Sequence, residues 1–269
     1  MTRRTRTISY LAISFGWTWA LWIGGWWLGA VQQTPVSSTG TIFDLAGSAG
    51  SPGFVAQLLF DLGVFGPLLG YLAVRQYRPV WGRPTVGSVG LAVGVPMVLV
   101  IPAFVLSVAT GVPAAGVTVG GAVAATAVYL VSNLVTSGTE EFGWRGYLQP
   151  TLRAGESTLW GATWKVGLIW AVWHYPLMVM LYWQLGFVMI FTIAGFTASI
   201  VAMAWLTGLV YEQSNSIALV ALMHALNNTA NFALMLIFPT APFTLVTAAM
   251  SWVAVFVLER RFRGRPSAA

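Results

Sequence analysis

Residues 87–109 read GSVGLAVGVPMVLVIPAFVLSVA, a run without a single charged side chain. A helix needs about 20 consecutive apolar residues to cross a bilayer, and this run supplies them. Working outward, similar runs occur at 8–30, 54–75, 119–150, 162–183, 186–210, 217–238 and 242–258. The pattern predicts an all-α, polytopic transmembrane helical bundle of about eight spans, forming a single integral membrane domain over 1–269. Composition points the same way. Hydrophobic residues make up 57% of the 269 residues and charged residues 7%, against about 25% charged in soluble domains. The 13 basic and 7 acidic side chains are too few to cover a soluble protein of this size. A soluble enzyme, a nucleic-acid-binding domain and a disordered chain are thereby excluded, and no nucleic-acid partner is expected. The expected surroundings are the lipid bilayer of the cell membrane.

The long apolar run after Arg3, Arg4 and Arg6 exceeds a signal peptide's apolar region and ends without a small-residue cleavage site. It is expected to be a retained first span. The longest polar stretch, 31–53, is rich in Ser, Thr, Gly and Pro and is expected to be one loop. Gly25/Gly29 and Gly66/Gly70 have the small-xxx-small spacing of closely packed helices.

The basic residues set the expected orientation. Arg3, Arg4 and Arg6 precede the first span, and Arg75, Arg78 and Arg83 follow the second. Arg145, Arg153 and Lys165 surround the junction of the fourth and fifth, and Arg260, Arg261, Arg263 and Arg265 follow the eighth. The alternate loops at 31–53, 110–118, 184–186 and 239–241 have none. The positive-inside rule then places both termini in the cytoplasm.

Ionisable groups within a span cost about 2.5–3.5 kcal/mol each on the insertion scale, so those present need an explanation. Asp61 lies in the second span. The fourth contains Thr139-Glu140-Glu141-Phe142-Gly143-Trp144-Arg145. Glu141 and Arg145 are four apart and suited to pair on one helical face. Glu140 is rotated about 100° from Glu141 and faces elsewhere. A buried carboxylate without a full partner suits general-base chemistry, while a packing ion pair is the bland alternative. In the fifth span His174 is followed by Pro176, which removes a helical hydrogen bond to Val172 and predicts a kink. The seventh carries His224, Asn227, Asn228 and Asn231 on one stripe, which serves as oxyanion donors or as interhelical glue. Glu140, His174 and His224 fall at a similar depth, about 10–18 Å from the basic side at 1.5 Å per residue. Cysteine is absent and these are the only two histidines, so neither thiol chemistry nor a thiolate metal site is available.

These blocks resemble the CPBP family of intramembrane proteases, which includes CAAX prenyl endopeptidases, bacteriocin-processing and self-immunity proteins, and Abi proteins. The matching residues are Glu140, Glu141 and Arg145 (EExxxR), Trp170 and His174 (an aromatic four before His, usually Phe), and His224 and Asn228 (HxxxN). The resemblance spans about residues 120–240, the expected catalytic core. It implies an endopeptidase in which Glu140 and His174 activate a water and His224 and Asn228 stabilise the oxyanion. Glu141 and Arg145 then have supporting roles. The expected substrate is a membrane-associated peptide or protein, prenylated or not, entering from the cytoplasmic side. The cofactor is open between none and a divalent metal such as zinc. The chain lacks HExxH, yet Glu140, His174 and His224 would make a three-ligand set. Serine and aspartyl intramembrane types fit poorly, because Ser48 and Ser51 sit in the polar loop and only Asp61 lies in a span. The alternative is a non-catalytic immunity or interaction protein, or a small-solute carrier, using the same polar layer.

Overall fold

The computed structural model describes residues 2–74, 78, 80–156, 158–241 and 243–262. Arg75, Arg263 and Arg265, used above for orientation, lie outside the described residues. Within them every regular element is helical. Helix α1 covers Arg3–Val31, α2 Ile42–Gly47, α3 Phe54–Gly63, α4 Gly66–Val74 and α5 Val86–Ala109. Helix α6 (Val119–Val135) continues through α7 (Ser137–Gly143), a π-helical turn (Trp144–Leu148) and α8 (Gln149–Arg153). Then come α9 (Leu159–Trp173), α10 (Tyr175–Tyr182), α11 (Val188–Ser214), α12 (Ile217–Ile237) and α13 (Phe243–Phe262).

Four stretches are long and apolar enough to cross a membrane: Val86–Ala109, Val119–Arg153, Val188–Ser214 and Ile217–Ile237. Two bent pairs, α3 with α4 (49°) and α9 with the Tyr175–Leu185 segment (47°), raise the count to six. Helices α1 and α13, of 29 and 20 residues, have the length to span but stand outside that count. The protein is an all-α bundle with several membrane-crossing helices, compatible with the approximate eight expected.

Local chemistry accounts for the breaks. Pro176 stands just after His174, and the α9–α10 bend falls at that histidine, because proline cannot complete the helical ladder. Thr136 leaves the helical region (φ −91°, ψ −89°) between α6 and α7. The 31–53 stretch departs from the expected single loop. Thr41 caps a short helix through a reciprocal box with Asp44, a local pairing strong enough to nucleate one and a half turns.

Helix α1 packs against α3 and α4, α9 against α11, and α12 against α5, α6 and α7. The α1 contacts explain the glycines. A Cβ on Gly25 would sit 2.7 Å from the Ala56 carbonyl oxygen, and one on Gly66 would strike Thr18 and Ser14. One end of the bundle gathers the basic segments. The Arg3 side chain donates to the Thr151 carbonyl, Arg153 Nε lies 2.8 Å from Glu212, and Arg83 N donates to Ser214 O at 2.7 Å. The Val80 carbonyl accepts from Ala218 N at 2.8 Å.

Candidate active site

Glu140 and Glu141 are adjacent in sequence and point into different environments. Glu140 lines a cavity of about 180 Å³ shared with His174 and Asn228. Its Oε2 accepts from Trp170 Nε1 at 2.9 Å and from Trp144 Nε1 at 3.2 Å. Both donors are buried indoles, so this oxygen is held, while Oε1 has no hydrogen bond among the described residues. A carboxylate with one oxygen anchored and the other open to a cavity is fixed in direction yet able to accept a proton.

Glu141 turns to the other side of the helix. Its carboxylate meets Arg145 Nη1 at 2.8–3.0 Å, both residues being fully buried. Its Oε1 also lies 2.8 Å from His224 Nδ1. Arg145 sits within the π-helical turn, a local widening often found beside functional sites. Its Nη2 donates to Thr207 Oγ1 and, at 3.4 Å, to the Ala204 carbonyl. The guanidinium carbon stands 4.8 Å from the Trp170 ring centroid. A charge buried this deeply needs partners of this kind, and among its nitrogens only Nε is left without one.

His174 occupies the α9–α10 bend, where its Nδ1 lies 3.0 Å from the Trp170 carbonyl. A carbonyl only accepts, so this contact assigns the ring proton to Nδ1 and leaves Nε2 as the lone-pair nitrogen. The ring is walled by Trp22, Trp173 and Phe196. The structure therefore groups Glu140, His174 and Asn228 on one cavity. His224 is 5% exposed and stands outside the lining, edge-on to Trp170 at 5.1 Å. Asn227 and Asn231 also lie outside the lining, and Asn231 Nδ2 donates to the Asn227 carbonyl at 2.8 Å. The stripe on α12 thus divides its work.

Among the described residues no three of His, Asp and Glu converge as a metal-ligand set. Glu140, His174 and His224 in particular do not form one, since the cavity lined by Glu140 and His174 is not lined by His224. The side chains present do not fit a three-ligand zinc centre.

Several residues of the site were not legible beforehand. Trp144 lies four after Glu140, a helical spacing that signals contact. Trp170, singled out only as the aromatic before His174, reaches Glu140 from another helix, and Thr207 arrives from a third without any signal. Asn133 is a polar residue inside the fourth span that sequence reasoning passed over. It lines the cavity and donates to Thr229 Oγ1 at 3.1 Å. Asp61, noted as an intramembrane acid but not joined to the other blocks, also lines the cavity and accepts from Gln57 Nε2 at 2.8 Å.

No curated protein matches the chain. Residues 122–230 match the family model described as type II CAAX prenyl endopeptidase Rce1-like. The matched stretch contains Glu140, Glu141, Arg145, Trp170, His174, His224 and Asn228, so the segment that carries the candidate site is similar to the Rce1-like CAAX protease family.

Proposed function

We infer that this protein is an intramembrane endopeptidase that hydrolyses a peptide bond of a membrane-associated substrate with a water activated by Glu140 and His174. The observation that carries this reading is the shared cavity, in which Glu140 presents one free carboxylate oxygen beside His174 and Asn228. A water between Glu140 and His174 gives its proton to a base as its oxygen attacks the scissile carbonyl. The Asn228 amide donates to the developing oxyanion. His224, one helical turn before Asn228, stands outside the cavity lining with its Nδ1 proton donated to Glu141, and it supports the Asn228 helix from behind. The proton held by Glu140 then passes to the leaving amine, which closes the cycle. The arrangement of side chains supports a metal-free route, and no step is assigned to a metal.

The test is cleavage of peptides in proteoliposomes by the wild-type chain and Glu140→Gln. An inactive Glu140→Gln variant also retains bound peptide for identification by mass spectrometry. Equal processing by both would remove the peptidase reading and favour a non-catalytic or carrier role.

A further inference from the structure

The cavity sits off-centre in the bundle. Counted from the basic end at 1.5 Å per residue, Asn228 and Phe232 stand about 17 and 23 Å along α12, and Trp22 about 28 Å along α1. Tyr129 stands about 36 Å from Arg153 on the same scale. All four line the cavity. Between it and the basic end the interior is solid. Tyr10, Trp144, Arg145, Tyr147 and Leu148 are each at most 2% exposed. Tyr10 meets the Tyr147 ring at 4.8 Å and the Trp144 ring edge-on at 6.1 Å.

Toward the opposite end the lining continues through Asp61, Ser132 and Asn133 to Ser38 and Gly40, in the segment leading to α2. That segment is tied down by few bonds. Ser37 N donates to Gln57 Oε1 at 2.8 Å, and Gln57 Nε2 donates to Ser37 O at 3.0 Å and to Asp61. Ile42 N donates to Ser132 Oγ at 3.1 Å. Neither the cavity lining nor residues 31–53 contain a lysine or arginine. The charge rule assigns such an end to the extracytoplasmic side.

We propose that the site is served from the face opposite the basic end, so that its substrate is a membrane-anchored peptide presented on the extracytoplasmic side, passing beneath the Ser37–Thr41 strap to reach Glu140. The substrate part rests on the peptidase reading above; the route does not.

The chain lacks cysteine, so single-cysteine variants of the full chain report sidedness directly. Ser132→Cys and Thr136→Cys probe the cavity, Ser51→Cys the strap face and Ala154→Cys the basic end. Each is treated with a membrane-impermeant maleimide in right-side-out and in inverted vesicles. The expected result is that both cavity variants label in right-side-out vesicles together with Ser51→Cys, while Ala154→Cys labels only in inverted ones. Labelling of the cavity variants together with Ala154→Cys, or from neither face, would overturn the route. Two cavity positions guard against one variant failing to fold. In parallel, a lipid-anchored fluorogenic peptide is supplied to one face at a time of vesicles holding the wild-type chain. Cleavage from the strap face only, with loss in Glu140→Gln, is expected. Cleavage from the basic face overturns the substrate assignment. Absence of cleavage alongside the expected labelling sinks the peptidase reading, and with it the substrate assignment, but leaves the route standing.

Discussion

Glu141 Oε1 and His224 Nδ1 lie 2.8 Å apart across 83 positions of sequence, both buried. An ionised carboxylate only accepts, so the contact assigns a proton to Nδ1 and fixes the plane of the ring. The same carboxylate neutralises Arg145. Glu141 thus links a structural charge to the histidine that precedes Asn228 by one turn, and its supporting role includes positioning.

The two neighbouring carboxylates should therefore fail in different ways. Glu140→Gln is expected to lower turnover by about 10²–10⁴, the usual worth of a general base, with thermal stability in detergent unchanged. Glu141→Gln is expected to cost about 3–5 kcal/mol of stability, because Arg145 and His224 lose a buried charged partner. Melting curves and peptide cleavage on both variants check this. A Glu140→Gln variant that unfolds beside a stable, inactive Glu141→Gln variant would reverse the assignment.

Trp170 stands where the resembling family usually has Phe, and its indole N–H supplies the shorter of the two bonds to Glu140. Trp170→Phe keeps an aromatic ring against His224 and Arg145 but removes that donor. Hydrogen bonds to charged groups contribute about 1.5–3 kcal/mol, so turnover is expected to fall by roughly tenfold or more while the fold persists. Steady-state kinetics beside circular dichroism measure both quantities. Unchanged turnover would mean that Trp144 alone orients Glu140.

Orientation is testable without a substrate. With both termini proposed to be cytoplasmic, reporter fusions after residues 40 and 115 should read outside, and a C-terminal fusion inside. A C-terminus reading outside would invert the charge-rule argument and the assignment of the strap face with it.

Metal dependence separates the two mechanistic readings that the sequence leaves open. The geometry of Glu140, His174 and His224 predicts sub-stoichiometric metal in purified protein and full activity after a strong chelator. Activity lost on chelation and restored by zinc would instead require Nε2 of His174 and of His224 to converge on one metal beside Glu140.

The sequence by itself determined what depends on neighbours along one helix. Charge-free runs dictate membrane helices, because unpaired backbone groups and charges are costly in hydrocarbon. The i, i+4 spacing brings Arg145 to Glu141, the 100° step turns Glu140 away, and Pro176 bends the chain at His174. The tertiary structure decided everything that joins one helix to another. It set Trp170 on Glu140, His224 on Glu141 and Thr207 on Arg145. It also drew Asp61 and the strap before α2 into the cavity and closed the basic end with Tyr10, Trp144 and Tyr147. Helices apolar on every side, as α11 largely is, carry little periodic signal for which face meets which partner. In lipid that choice is made by shape, small residues and interhelical hydrogen bonds between residues far apart in the chain.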